Sequence, residues 1–204
     1  MRLTERDREL LRWINGHGFV TTRQAARWMG NRHQTAHRRL ALLVRGGMLT
    51  QERVYHNGDG AYRLTNLGLA LADDSLSRLS AISKGGFDHT AMMVDIGLAV
   101  VEETGGNFVP ERRVRQQRGL NGVGVRGHVP DGLLEINGHK PIPVELEMST
   151  KGGDRLKRIV RAYARDQDVD EVWYFVTGGE MRSLLERITK GYEMFQIRDW
   201  EPSS

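Results

Sequence analysis

Helix starts and glycine stops alternate so closely in the first 47 residues that the chain there can form only short helices joined by tight turns. Thr4 to Ile14 carries Leu10, Leu11 and Ile14 at helical spacing with charges opposite, and Gly16 and Gly18 end it. After Phe19-Val20, Thr21 stands three residues before Gln24, the capping-box spacing, and opens a second helix through Ala25, Ala26, Trp28 and Met29 to Gly30. Asn31 is the expected cap of a third, with Gln34 three residues on and an apolar stripe of Ala36, Leu40, Leu43 and Val44 running up to Gly46-Gly47.

Two helices separated by a glycine-containing turn, the second crowded with Arg32, His33, Gln34, His37, Arg38 and Arg39, have the form of a helix-turn-helix whose latter helix reads DNA. A hairpin is expected next. Met48 to Arg53 and Ala61 to Leu64 are strand-like and flank Asn57-Gly58-Asp59-Gly60, so the unit reads as a winged helix, with Arg53, Tyr55, His56 and Arg63 of the wing able to touch backbone or minor groove. The face turned away from Ala36, Leu40 and Leu43 carries Gln34, His37, Arg38 and Ala41. Gln34 and Arg38 are the candidates for base contacts, because Gln and Arg pair bidentately with adenine and guanine edges; Arg32, Arg39 and Arg45 are assigned to phosphates. His33 and His37, four residues apart, have metal-ligand spacing, but no further ligand lies near them in the sequence and a groove-facing role is preferred.

Charge divides the 204 residues in the same place. Up to Thr65 there are 12 basic residues, all arginine, against 5 acidic ones, a balance of +7, whereas the remainder has 18 against 21, or −3. Two modules are therefore expected: residues 1–72, a linker over 73–86 rich in Ser, Asp and Gly, and residues 87–204. The short run 66–72 reads as one more helix. With no cysteine, disulfide scaffolds, thiolate zinc sites and cysteine nucleophiles are excluded. The charged start MRLTERDREL and the lack of any long apolar run predict a cytoplasmic protein without membrane contact.

In the second module a helix is expected from Phe87 to about Glu103, then a strand from Phe108 to Val114, then a glycine-rich surface loop from Gly119 to Gly127. His128-Val129-Pro130-Asp131-Gly132 leads into a hairpin through Asn137-Gly138 to Ile142-Pro143-Val144-Glu145-Leu146-Glu147. A tight turn pairs positions summing to 275 and sets Asp131 opposite Val144; one bulged residue sets it opposite Glu145 and gathers Asp131, Glu145 and Glu147. Strand alternation puts the two glutamates on one face, with Val144, Leu146 and Met148 toward a core on the other. Such an oxygen-only set suits Mg²⁺ or Mn²⁺. A helix from Asp154 buries Leu156, Ile159, Val160 and Tyr163; a central strand at 171–176, a helix at 182–189 and a last strand at 195–197 complete an α/β module with a mixed sheet.

Pro130-Asp131, followed by Glu145-x-Glu147 and a helix, resembles the PD-(D/E)XK nuclease fold. That resemblance implies metal-binding acids at Asp131 and Glu145, with a lysine to orient water. Glu147 stands where the lysine is expected, which leaves Lys151 or Lys157 to reach back. The larger pattern, a winged helix and then this module, resembles the replication-relaxation family of plasmids, conjugative elements and phages. It implies carry-over of Asp131, Glu145 and Glu147, with His89 and Tyr163 as weaker matches. The expected function is sequence-specific binding of double-stranded DNA in replication, relaxation or their control, with a nuclease-like module that does not cleave. Other replication or mobilisation proteins are expected partners. The alternatives are a repressor binding a palindromic operator as a homodimer, through Trp173, Met181, Leu184 or the 66–72 helix, and a Mg²⁺-dependent nicking endonuclease. No P-loop, G-x-S-x-G, H-E-x-x-H or dinucleotide fingerprint competes.

Overall fold

The computed structural model describes residues 3–54, 60–119, 128–150 and 152–201, and its internal contacts divide the chain into Met1–Leu98 and Ala99–Ser204. Tyr55, His56, the turn residues 57–59, most of the 119–127 loop and Lys151 lie outside the described residues. The architecture is mixed α/β.

In the first unit, Thr4 caps α1 (Glu5–His17), its hydroxyl accepting from the Asp7 amide while the Asp7 carboxylate accepts from the Thr4 amide. The strand β1 (Val20–Thr21) leads directly into α2 (Thr22–Trp28), and the expected reciprocal cap between Thr21 and Gln24 is present. The third helix, α3 (His33–Arg45), starts from Arg32 without a side-chain cap. Asn31, the expected cap, instead closes the preceding turn, its backbone amide donating to the Ala26 carbonyl and its side chain to that of Met29.

The strands β2 (Leu49–Glu52) and β3 (Ala61–Leu64) pair antiparallel with Leu49 opposite Leu64, and β1 joins the other edge of β3, giving the order β1-β3-β2. α4 (Asn66–Ala72) follows, capped by Thr65. It packs so closely that a methyl at Gly68 would meet the Met48 carbonyl oxygen at 2.0 Å. Leu10, Leu11, Ile14, Ala36, Leu40, Leu43, Tyr62 and Leu64 fill the core between these elements. Residues 73–83 are held against this unit, since the Asn15 side chain donates to the Leu76 carbonyl and Arg63 to that of Leu79. α5 (Lys84–Thr104) starts three residues ahead of Phe87, whose ring stacks on Phe19 at 4.9 Å.

The second unit holds β4 (Asn107–Pro110), α6 (Glu111–Gln117), β5 (Gly132–Glu135), β6 (Ile142–Glu147), α7 (Gly153–Tyr163), β7 (Val172–Val176), α8 (Gly179–Thr189) and β8 (Phe195–Asp199). Their sheet runs β4-β5-β6-β7-β8, the first three strands antiparallel and the β6–β7 and β7–β8 pairs parallel. The strand expected to reach Val114 ends at Pro110. Proline, with φ fixed near −70°, serves as the N-cap of α6, Glu111 occupies its first turn with Arg115 four residues on, and Val114 is buried as a helix residue. α7 and α8, the two parallel crossovers, pack Leu156, Ile159, Val160, Tyr163, Met181 and Leu185 on the sheet face that carries Val172, Tyr174 and Val176. Trp173 and Met181, expected at a dimer interface, are 5% and 2% exposed, so packing within the unit consumes both. Among the described residues no helix is long and apolar enough to cross a membrane.

Candidate functional site

Two clusters answer the residues picked out from the sequence, one in each unit. In the first, α3 buries Ala36, Leu40 and Leu43, which fixes the helix rotationally. At 100° per residue the opposite face is Gln34, Arg38, Ala41 and Arg45. Gln34, Arg38 and Arg45 are exposed, as are Arg32, His33 and His37 beside them. Among the described residues, Arg32, Arg38, Arg45 and, past the end of β2, the exposed Arg53 have no ion pair or hydrogen bond from their side chains to other protein groups.

Two of the arginines expected at DNA, Arg39 and Arg63, bond to groups inside the protein. Arg39 grips the buried Asp7 with two guanidinium nitrogens, Nε donating to Oδ1 at 2.6 Å and Nη2 to Oδ2. Burial pushes the Asp7 carboxyl up, but the bonds from Arg39 and Thr4 outweigh it and hold the group below its ordinary value. Arg39 thus ties α1 to α3. Arg63, half-buried on β3, donates from Nε to Glu52 at 2.5 Å and from Nη1 to the Leu79 carbonyl.

In the second unit the hairpin register is the one expected from one extra residue. Gly132 pairs with Val144 and Leu134 with Ile142, positions summing to 276, which sets Asp131 across from Glu145. The extra residue is accommodated by a six-residue loop, 136–141, and not by a bulge within a strand; the His139 amide closes a turn onto the Ile136 carbonyl. Asp131 Oδ2 accepts from the Leu146 amide at 2.9 Å, tying the start of β5 to β6. Gly132 lies close under the Phe108 ring, since a methyl there would lie 2.2 Å from it and force the ring to move.

The two glutamates share one face of β6, as alternation predicts, and that face is covered. Parallel pairing puts Glu145 beside Tyr174 and Glu147 beside Val176, the face covered by α7 and α8, while Val144 and Leu146 share the other with Trp173 and Phe175. β6 is buried on both faces, as a strand central to its sheet must be. Glu145 is only 4% exposed. Its Oε1 takes Tyr163 Oη as a donor and lies 2.5 Å from His128 Nε2. Burial drives the Glu145 carboxyl up to about 7, against the opposing pull of the His128 hydrogen bond and with help from the Asp131 charge. Burial and the Glu145 charge push the Tyr163 phenol up as well. His128 and Tyr163 also line a cavity of about 450 Å³, whose wall includes Pro130, Pro143 and Ile159.

These acids do not fit a divalent cation. One Glu145 oxygen is shared between two protein groups, and Asp131 holds a backbone amide. Among the described residues no group of three or more His, Asp or Glu side chains is arranged to hold a metal ion. Lys157, expected to compensate for the missing lysine, extends along the exposed side of α7 to Asp154 at 3.2 Å, about 120° around the helix from Tyr163, the side chain through which α7 reaches Glu145. Glu147 is half-buried one pleat repeat beyond Glu145. His89 lies on α5 in the first unit.

The partnership of His128 with Glu145 had no signal in sequence spacing, since the two are 17 residues apart and only the register of β5 on β6 brings them together. No curated protein and no solved structure matches the chain. A family model described as replication-relaxation matches residues 11–169, from within α1 to beyond the end of α7, and so takes in α3, His128, Asp131, Glu145, Glu147 and Tyr163. With more than three-quarters of its length inside that match, the chain belongs to the replication-relaxation family.

Proposed function

We propose that the protein binds duplex DNA sequence-specifically through α3, with the β2–β3 hairpin as the wing of a winged helix, in the replication or relaxation of a mobile element. The observation that carries this reading is the exposed stripe of Gln34, Arg38 and Arg45 on a helix whose other face is locked in the core. Gln34 and Arg38 have the donor and acceptor sets for adenine and guanine edges in the major groove, and the small Ala41 between them and Arg45 leaves room for close approach. Arg32, Arg45 and Arg53 serve the phosphates. Family membership supports a role on DNA.

The second unit, on this reading, is a nuclease-like scaffold that does not cleave. Its antiparallel β4-β5-β6 meander followed by a helix and a parallel strand is in keeping with the scaffold implied by the resemblance. Where a hydrolytic site would need carboxylates open to a metal, Glu145 is closed by His128 and Tyr163.

Binding of the full-length chain to a randomised duplex pool, followed by titration on the enriched site, tests the proposal. Arg38→Ala is expected to weaken the enriched site by about 1 to 3 kcal/mol and to relax the preference at one base position. Equal weakening on every sequence would move Arg38 to a phosphate. Absence of any salt-dependent affinity for duplex DNA would end the reading. Incubation with supercoiled plasmid and Mg²⁺ or Mn²⁺ is expected to give no nicking; metal-dependent nicking lost in both Asp131→Ala and Glu145→Ala would establish a nuclease instead.

A further inference from the structure

α7 carries a second basic surface, in a part of the chain whose overall charge is not basic. Its buried side is Leu156, Ile159, Val160 and Tyr163, and the side turned away from these bears Arg158, Arg161 and, in the turn that continues the helix, Arg165, all exposed. Several basic side chains elsewhere in the same unit meet acids, Arg115 with Glu111, Lys140 with Asp170, Arg182 with Glu186 and Asp199, and Arg198 with Glu103, whereas Arg118, Arg187 and Lys190 are exposed without an ion pair among the described residues but are not all aligned on one helix face. Among the described residues Arg158, Arg161 and Arg165 have no such partner; Asp154, the acid one turn before Arg158, is taken by Lys157.

Like charges three and four residues apart on a helix repel, so this arrangement costs the isolated protein stability that a polyanion would restore. Three guanidinium groups span about 10 Å along the axis, at 1.5 Å per residue. We infer that the Arg158, Arg161 and Arg165 face of α7 binds the phosphate backbone of duplex nucleic acid, as a contact separate from α3.

The surroundings decide the kind of partner. No exposed large apolar residue lies on α7, so a protein partner finds no apolar anchor and a membrane no group to insert. There is no exposed aromatic ring on this face either, so unstacked bases have no platform. What remains is a row of planar forks suited to phosphate oxygens along a regular backbone. The inference stands on α7 alone and does not depend on the role of α3.

The test is the salt dependence of full-length protein binding to a fluorescent duplex of random sequence, between about 50 and 200 mM salt. Four proteins are compared: wild type, the triple variant Arg158→Ala, Arg161→Ala, Arg165→Ala, the same three positions changed to Lys, and Arg38→Ala with Arg45→Ala. Circular dichroism verifies that each is folded. At about 0.9 in slope per phosphate contact, loss of three contacts makes the log–log slope shallower by about 2.7, so the fourfold rise in salt weakens wild type about 40-fold more than it weakens the alanine variant. The lysine variant is expected to keep the wild-type slope. An unchanged slope in the folded alanine variant would overturn the inference, as would poly-glutamate displacing the protein as well as unlabelled duplex does. A loss confined to the α7 variant, with Arg38→Ala and Arg45→Ala without effect, would sustain this inference and remove the reading of α3.

Discussion

Replacing Glu145 with glutamine removes the buried ionisable group and keeps an oxygen for Tyr163 to donate to, so it isolates the consequence of burial. In the folded protein the Glu145 carboxyl is raised from 4.5 to about 7. Between these values the folded state holds a proton that the unfolded chain has released. Stability attributable to Glu145 is therefore fully present below pH 4.5 and falls as the pH rises toward 7. A difference of about 2.5 pH units at about 1.36 kcal/mol each gives a loss of about 3 kcal/mol across that window. Urea unfolding of the second unit can be followed by Trp173 and Trp200 in a background of Trp13→Phe and Trp28→Phe. The expected result is a stability difference between the wild type and the Glu145→Gln variant that changes by about 3 kcal/mol from about pH 4.5 to 7.5, the wild type losing ground as the pH rises. A difference constant to about 1 kcal/mol over that range would show that Glu145 is ionised throughout, stabilised by His128, and would overturn the inference from burial.

Asp7→Asn is expected to cost the first unit about 1 to 3 kcal/mol, because Arg39 keeps a half-buried charge without its counter-ion; urea unfolding followed by Trp13 and Trp28 measures it. With its carboxyl held below the ordinary value, the Asp7 contribution should be present above about pH 4 and disappear as the pH falls through the folded value. Gly132→Ala should destabilise the second unit by about 1 to 3 kcal/mol through overlap with the Phe108 ring, and Phe108→Leu in the same chain should recover part of that loss, both read by urea unfolding. Addition of Mn²⁺ should leave the thermal unfolding midpoint of the full chain unchanged; a concentration-dependent rise would reveal a bound ion.

Local chemistry makes much of the first unit legible from sequence. The Thr21 and Gln24 cap, the 66–72 helix and the facing strands β2 and β3 follow from side chains acting on backbone groups a few residues away, and all are present. The rotation of α3 is equally readable, since Ala36, Leu40 and Leu43 recur at the helical period whatever they pack against. Asn31 does not cap α3 because the end of α2 competes for the same residue and holds both its backbone amide and its side chain.

Charge can be counted along the chain but not assigned. Of the arginines near α3, only the folded chain separates Arg38, on the surface, from Arg39, one position on and turned 100° toward Asp7 on another helix. The same holds for the acids of β6. Alternation correctly puts Glu145 and Glu147 on one face, but whether that face is covered depends on which helices return across the sheet. Local pattern thus specifies most of the helices, the hairpins and a β5–β6 register known to within one residue. The enclosure of Glu145 by His128 and Tyr163 comes from folding alone, because burial and long-range hydrogen bonds arise between segments whose separation along the chain carries no local signal.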